Sequence, residues 1–187
     1  MRIIAGSLRG RRLQGPSTDG LALRPTGDRA REALFSILET RPRGPFLDLF
    51  AGTGAVGLEA WSRGHAPVTC VESAPAALQL LRANIAGTGV QVLAADVRRL
   101  GPTAFQGLGL VFSDPPYAES AVLLERLAPA VQAWLAEAGW LVWECAAGTR
   151  LPDLEGLTRF DQRRYGAAAF HFFGRVGAED RLRSGVQ

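Results

Sequence analysis

The segment FLDLFAGTGAVG, at residues 46–57, is the part of the chain that best predicts its class of fold. Its first six residues are apolar apart from Asp48, which predicts a buried strand, and the glycines that follow predict a tight turn into a helix. Gly52, Gly54 and Gly57 match the pattern G-x-G-x-x-G, in which the missing side chains let the backbone approach a ligand closely. This pattern alone is a weak signal, so the residues around it must decide what it binds.

The sequence on both sides of this segment alternates between strand and helix patterns. Strands are predicted at residues 46–51, 68–72, 90–94, 108–113 and 140–145, and helices at 55–62, 76–85 and 120–136. Such alternation indicates a parallel sheet covered on both faces. Residues 157–164 and 167–175 are joined by a turn at Tyr165 and Gly166, too short for a crossover helix. The predicted fold is therefore α/β: a seven-stranded, mostly parallel sheet with an antiparallel C-terminal edge pair.

The beginning of the chain differs from the remainder in charge. Residues 1–45 contain nine arginines and four acids, a net charge of +5 in a chain whose total is +3. Residues 1–13 and 21–24, around a polar turn at 16–20, predict a small basic hairpin, and a helix with Leu34 on its apolar face follows. We therefore predict an N-terminal appendage (1–42), one domain (43–176) and a polar tail (177–187). The basic residues predicted to contact nucleic-acid phosphates are Arg2, Arg9, Arg11 and Arg12. A solvated face is the alternative.

Length and composition restrict the class of protein. A chain of 187 residues that is 47% apolar can bury one substantial core. Both cysteines, Cys70 and Cys145, lie in apolar runs, which favours reduced core thiols over a disulfide or a metal site. The start of the chain has no apolar leader pattern, and no run reaches the length of a membrane span. We expect a cytoplasmic monomer without a metal ion and without membrane contact.

Three acids predict what the glycine turn holds. Glu72 lies twenty residues after Gly52, at the end of the second strand, where a carboxylate can accept both hydroxyls of a ribose. That position suits nicotinamide cofactors and S-adenosylmethionine equally. Asp48, inside an apolar strand, needs a polar partner such as a ligand's ammonium group. Asp96 can accept from an adenine amine or cap a helix. Because nothing is arranged for a pyrophosphate, S-adenosylmethionine is the preferred ligand. The predicted contacts are Asp48, Gly52, Thr53, Gly54, Glu72 and Asp96.

The tetrapeptide Asp114-Pro115-Pro116-Tyr117 ends the fourth predicted strand. Two prolines keep the backbone extended and stop a helix from using its carbonyl groups. The Asp114 carboxylate and the Pro115 carbonyl can then accept the two hydrogens of a planar amino group, while Tyr117 offers a stacking face. An exocyclic amine of a nucleic-acid base fits this description.

These motifs resemble those of the bacterial small-subunit (16S) ribosomal RNA guanine-N2 methyltransferases, a family of the class I methyltransferase superfamily, which implies a Rossmann-like fold. The resemblance covers nearly the whole chain. It rests on the segments at residues 2–6, 9–11, 24–35, 46–54 and 114–117. It implies S-adenosylmethionine as the cofactor, Arg24 and Thr26 as residues over that cofactor, and catalysis by Asp114, Pro115, Pro116 and Tyr117. It implies ribosomal RNA, free or in the assembling small subunit, as the substrate. Thr53 stands where serine is commoner.

Three other functions stay open. The same tetrapeptide can hold an adenine N6 amine of DNA or RNA, although the N-terminal motifs disfavour this substrate. A nicotinamide dehydrogenase is the next alternative. A catalytically idle RNA-binding assembly factor would keep the fold, but the intact Asp114 to Tyr117 segment speaks against it. His171 lies among phenylalanines in the last strand and is interpreted as a structural residue rather than a base.

Overall fold

The computed structural model describes residues 1–15 and 27–176. Several predictions fall outside these ranges: the turn at 16–20, the second hairpin strand at 21–24, the contacts of Arg24 and Thr26, and the tail at 177–187. In the described ranges, no helix is long and apolar enough to cross a membrane.

Helices and strands alternate along the chain. The helices are α1 (Asp28–Leu38), α2 (Ala55–Ser62), α3 (Pro75–Ile85) and α4 (Ser120–Trp134). The strands are β1 (Phe46–Leu49), β2 (Val68–Glu72), β3 (Gln91–Ala94), β4 (Leu108–Ser113), β5 (Leu135–Ala146), β6 (Leu157–Tyr165) and β7 (Ala168–Arg175). Short 3-10 helices occupy Val97–Arg99 and Tyr117–Glu119.

The seven strands form one sheet in the order β3-β2-β1-β4-β5-β7-β6. Strands β1 to β5 are parallel to one another, whereas β7 is antiparallel to both β5 and β6. The prediction of a mostly parallel seven-stranded sheet with an antiparallel edge pair is therefore confirmed. The chain crosses from β1 to β2 on one side and reaches β4 on the other, so the order reverses between β1 and β4. Such a switch point opens a crevice at the carboxyl ends of the strands.

Hydrophobic clusters cover both faces of the sheet. One contains Leu34 and Phe35 of α1, Leu58 of α2 and Leu81 of α3, with the alternate strand residues that point towards them. The other is built around α4, with Trp134 fully buried. Because both faces are covered, the central strands are mostly apolar, and Asp48 of β1 and Glu144 of β5 are buried exceptions. Both cysteines are buried free thiols, as predicted.

Three predicted element boundaries were wrong by two residues or more, and one of them is the end of the fourth helix, which lies at Trp134 rather than at residue 136. The first strand ends at Leu49 rather than at residue 51, because Phe50 has a φ of 60° and turns the chain out of the sheet. The fifth strand begins at Leu135, where the backbone is already extended, rather than at Trp140. Its pairing with β4 shifts register between Leu108 and Leu110, so the strand continues through an irregularity that interrupts the apolar pattern.

Residues 1–15, here called the N-terminal segment, fold back on themselves. Arg2 lies opposite Arg12 in an antiparallel bridge, so this hairpin closes inside the segment. A Cβ atom on Gly6, whose φ is +81°, would lie 1.8 Å from the Ser62 carbonyl oxygen, so glycine is required where the segment crosses α2. Ile3 belongs to the hydrophobic cluster that α1, α2 and α3 form with one face of the sheet. The division into appendage and domain at residue 42 stays a prediction.

Candidate active site

A cavity of about 840 Å³ lies at the carboxyl ends of β1 to β4, at the switch point of the sheet. Four successive connections contribute to its wall: those after β1, β2, β3 and β4. The cavity brings together most of the residues predicted from the sequence. These are Asp48, Gly52, Thr53, Glu72, Asp96, Asp114, Pro115, Pro116 and Tyr117.

The glycine turn follows the unusual backbone of Phe50. Gly52 has a φ of 55° and Gly54 a φ of 79°, conformations that glycine adopts without strain. A Cβ atom on Gly54 would lie 2.4 Å from Leu81 Cδ1, so this glycine allows α2 and α3 to pack closely. Gly52 lines the cavity. The turn therefore serves both packing, through Gly54, and backbone approach to the cavity, through Gly52.

Glu72 joins the connections that follow β1 and β2. Its Oε2 accepts from the Gly52 N–H at 2.8 Å, and its Oε1 accepts from the N–H groups of Ser73 at 2.7 Å and Ala74 at 2.8 Å. A carboxylate offers about four lone-pair sites, so three are used and about one remains, on Oε2. Glu72 thus shapes the cavity wall and keeps the capacity to accept from one ligand hydroxyl.

Asp48 is a buried carboxyl group in the cavity wall, with only 1% of its surface exposed. Its Oδ2 accepts from the Gly57 N–H at 2.9 Å. Burial raises the pKa of Asp48 to about 7, the Gly57 N–H opposes this rise, and the negative charge of Glu72 adds to it. A cation beside Asp48 would favour its ionised form, so the group is suited to a positively charged ligand.

Asp96 has the helix-capping role that the sequence left as one of two possibilities. Its Oδ1 accepts from the Arg98 N–H at 2.9 Å, at the start of the 3-10 helix after β3. The Arg98 guanidinium also binds both carboxylate oxygens, and these bonds lower the pKa of Asp96 to about 2. Since Asp96 and Arg98 both line the cavity, they present a paired charge to any ligand there.

In the predicted base-binding tetrapeptide, Pro116 has an extended backbone, with a φ of −52° and a ψ of 125°. Strand β4 ends at Ser113, and Pro116 leads into the 3-10 helix Tyr117–Glu119 through the Glu119 N–H bond to the Pro116 carbonyl at 3.0 Å. Within residues 1–15 and 27–176, no backbone hydrogen bond ends on the Pro115 carbonyl. Asp114 lies beside it at the cavity edge. This edge therefore holds a carboxylate, a carbonyl and the ring of Tyr117.

Sequence reasoning missed two buried polar residues near this site. Glu144 of β5 is 2% exposed and accepts from the Tyr117 hydroxyl at 3.4 Å. Asn84 of α3 donates to the Thr53 carbonyl at 2.9 Å and accepts from the Gln14 N–H at 2.8 Å, which ties the N-terminal segment to the glycine turn. An acid inside the apolar run of β5 was a visible signal, similar to that of Asp48, whereas a single asparagine in a helix gave none.

The arginines of the N-terminal segment have different environments. Arg2, Arg9 and Arg12 are exposed. Arg11 is half-buried, and its guanidinium donates to the carbonyl groups of Asn84 at 2.8 Å and Ala86 at 2.9 Å. Three of the four predicted phosphate contacts are therefore accessible, while Arg11 holds the segment on the end of α3.

His171 lies outside the cavity lining, as its structural interpretation requires. It is 2% exposed and pairs with Trp143 across β5 and β7. Burial lowers its pKa to about 4, and the positive charge of Arg159 lowers the pKa further. Among the described residues, no group of three or more His, Cys, Asp or Glu side chains could hold a metal ion.

The sheet order and the cavity at the switch point define a Rossmann-like class I methyltransferase fold. A solved structure with this architecture, that of a hypothetical protein from Thermus thermophilus, matches with a TM-score of 0.81 and 35% identity. The match covers 94% of this chain and 99% of that one.

Similarity over most of the chain shows the family. The family model described as Conserved hypothetical protein 95 matches residues 1–174. Ribosomal RNA small subunit methyltransferase D of Escherichia coli (strain K12) is 37% identical over 164 residues, which is 82% of this chain and 79% of that protein. Its namesake in Haemophilus influenzae is 35% identical over 136 residues, 66% of this chain and 69% of that protein. The chain therefore belongs to this family of bacterial small-subunit ribosomal RNA methyltransferases.

Proposed function

We propose that this protein transfers a methyl group from S-adenosylmethionine to the exocyclic N2 amine of a guanine in small-subunit ribosomal RNA. One observation carries the proposal: Asp114, Pro115 and Tyr117 line the same cavity as the glycine turn. The names of the relatives support ribosomal RNA as the substrate. Guanine N2 as the target atom is supported by the sequence motifs that carry the family resemblance.

The described residues fit S-adenosylmethionine. Glu72 keeps about one free lone pair for a ribose hydroxyl, and Gly52 allows the backbone to approach the nucleoside. Asp48 is a buried carboxyl group that a cationic amino-acid group would stabilise in its ionised form. Asp96 would face the adenine, and the family resemblance assigns Arg24 and Thr26 to the same ligand. When bound, the cofactor supplies a methyl group that is already activated on a sulfonium centre.

The residues at the end of β4 would hold and prepare the amine. A base amine is planar because its lone pair is delocalised into the ring. Hydrogen bonds from its two N–H groups to Asp114 and to the Pro115 carbonyl favour a tetrahedral nitrogen, which directs the lone pair towards the methyl group. The amine must lose one proton after attack, and the Asp114 carboxylate is the nearest acceptor by this geometry. Tyr117 would stack on the base once it leaves its neighbours.

The N-terminal segment would bind the RNA backbone. Arg2, Arg9 and Arg12 are exposed on one hairpin without a neighbouring acid in residues 1–15. Arginines in such a cluster neutralise phosphates whatever the base sequence. The Asn84 bridge from Gln14 to Thr53 connects this segment to the cofactor turn. The RNA backbone would thus be bound by a hairpin that is anchored to the glycine turn of the cofactor site.

Incubation of unmodified ribosomal RNA with labelled cofactor, followed by nucleoside analysis, tests the proposal. Label in N2-methylguanosine supports it, whereas label in N6-methyladenosine would assign the adenine alternative. Asp114→Ala should abolish transfer and leave cofactor affinity largely intact, because the carboxylate acts on the amine. Asp153→Ala, at an exposed carboxylate in the connection after β5, is the matched control and should keep wild-type activity. An Asp114→Ala variant with wild-type turnover would refute the role of the tetrapeptide.

A further inference from the structure

Glu144 is a buried carboxylate in the middle of an apolar sheet. It is 2% exposed, it lies in β5 between the buried residues Trp143 and Cys145, and its partner on β7 is the buried Phe170. Burying a carboxylate is unfavourable unless polar groups compensate it, and an apolar residue would fill the same position at lower cost. Its presence in this strand needs a reason other than packing.

The Tyr117 side chain supplies that reason. Its hydroxyl donates to Glu144 Oε1 at 3.4 Å, a long hydrogen bond of the kind that often tightens only when a substrate is bound. The bond connects a three-residue 3-10 helix at the cavity edge to a central strand. Burial, together with the negative charges of Glu144 and Asp114, raises the pKa of Tyr117, so its hydroxyl stays protonated and remains a donor.

We infer that Glu144 is a positioning residue that fixes the ring of Tyr117 in the orientation required for stacking on the target base. This inference rests on the proposed function. The ring is carried by a three-residue 3-10 helix in which no residue is fully buried. A hydrogen bond from the far end of the ring to rigid β5 restricts both side-chain torsions of Tyr117. The base would then meet a platform that is already oriented, which lowers the cost of placing its amine.

The effects on kcat and on the KM for RNA should distinguish a positioning role of Glu144 from a role in RNA affinity. Most of the RNA affinity should come from phosphate contacts of the N-terminal segment, which Glu144 does not touch. Loss of the hydrogen bond should therefore reduce kcat roughly tenfold and change the KM for RNA little. Cofactor affinity, measured by calorimetry, should stay at the wild-type value.

A mutant cycle tests the inference. Glu144→Leu and Tyr117→Phe each remove the bond, so each should reduce kcat by a similar factor, and the double variant should be no slower than either single one. Glu144→Gln keeps an acceptor and should recover most of the activity. In a Tyr117→Leu background, Glu144→Leu should cause no further loss. Tyr165→Phe removes the hydroxyl of the other tyrosine in the chain and serves as the matched control, with unchanged kcat.

The outcomes distinguish failure of the inference about Glu144 from failure of the proposed function. Losses that multiply in the double variant would show that Glu144 acts independently of Tyr117 and would overturn the inference alone. A Tyr117→Phe variant with wild-type kcat would also overturn it, and this variant does not depend on changing a buried charge. A fall in cofactor affinity or melting temperature that accounts for the whole loss in Glu144→Leu, without rescue by Glu144→Gln, would reduce Glu144 to a structural residue. Absence of methyl transfer by the wild type would overturn the proposed function and this inference with it.

Discussion

Glu59 of α2 holds the N-terminal segment to the body, and Glu59→Gln should strongly destabilise the protein. The carboxylate is fully buried. Its oxygens accept from the N–H groups of Ile4 at 2.8 Å and Ala5 at 3.0 Å, and from Arg63 Nε at 2.8 Å. Arg31 Nε lies 3.7 Å from Oε2 and is also fully buried. The substitution keeps the shape of the side chain and removes its charge.

The magnitude follows from these contacts. A glutamine side chain has one acceptor oxygen, and an NH₂ group replaces the other oxygen. That NH₂ group would face an N–H donor that the carboxylate accepts from in the wild type. Two guanidinium groups would also lose a counter-ion inside the protein. Removing one partner of a buried pair costs about 3 to 5 kcal/mol, and we expect a loss of unfolding free energy in that range. Glu39→Gln is the matched control: Glu39 pairs with the same Arg63 at 2.7 Å but is 56% exposed. An exposed pair contributes about 0.2 to 1 kcal/mol.

Urea unfolding of both variants measures the difference, and amide hydrogen exchange locates it. The N–H groups of Ile4 and Ala5 should lose protection in Glu59→Gln and keep it in Glu39→Gln. RNA affinity should fall with the loosened segment, while cofactor affinity at a temperature where the variant is folded should change little. If Glu59→Gln were as stable as Glu39→Gln, the anchoring role argued from these contacts would be wrong.

Three further groups of predictions concern Asp48, Glu72 and the exposed arginines of the N-terminal segment. The pKa of Asp48 is raised from 3.8 to about 7 in the folded protein. Between these pH values the folded protein holds a proton that the unfolded chain has lost, so the free energy of unfolding should fall as the pH rises through this range. Asp48→Asn should flatten this slope, which urea titrations at several pH values measure. A cationic cofactor group near Asp48 should also release a proton on binding near pH 6, which calorimetry in buffers of different ionisation enthalpy detects. Glu72→Ala should weaken S-adenosylmethionine binding by about 1 to 3 kcal/mol, measured by calorimetry, because a charged acceptor is lost. A triple Arg2, Arg9 and Arg12 to Gln variant should bind RNA more weakly, with a logarithmic salt slope smaller by roughly 2 to 3.

Each of these predictions has a control. Asp153→Asn changes an exposed carboxylate and should leave the pH dependence of stability as it is in the wild type. Glu125→Ala, on the exposed face of α4, should keep cofactor affinity, and a Glu72→Ala variant with equal affinity would remove Glu72 from the site. Circular dichroism must show that the arginine variant is folded. An unchanged salt slope would favour the alternative that the N-terminal segment is only a solvated surface. Arg11→Gln is expected to lower stability instead, because the Arg11 guanidinium donates to the carbonyl groups of Asn84 and Ala86 at the end of α3.

Most of the sheet and the local part of the site could be predicted from the sequence. Runs of apolar residues, ended by glycine, proline or an acid, mark strands that are buried on both faces, and this signal is local. The glycine turn and the Asp114 to Tyr117 segment could be identified for the same reason, because each is a short continuous motif whose geometry comes from its own residues. Boundaries were missed where a single backbone conformation decided them, as at Phe50 with its φ of 60°.

Long-range packing determines which distant residues complete these motifs. Tyr117 and Glu144 are 27 residues apart, and Glu59 binds N–H groups 54 and 55 residues away. Asn84 meets Gln14 across 70 residues. No local pattern specifies such pairs, since they depend on the order of the strands and on which face each helix covers. Buried polar groups must find partners, so the sequence could show that Asp48 needed one, but only the packed fold determined that Gly57 provides it.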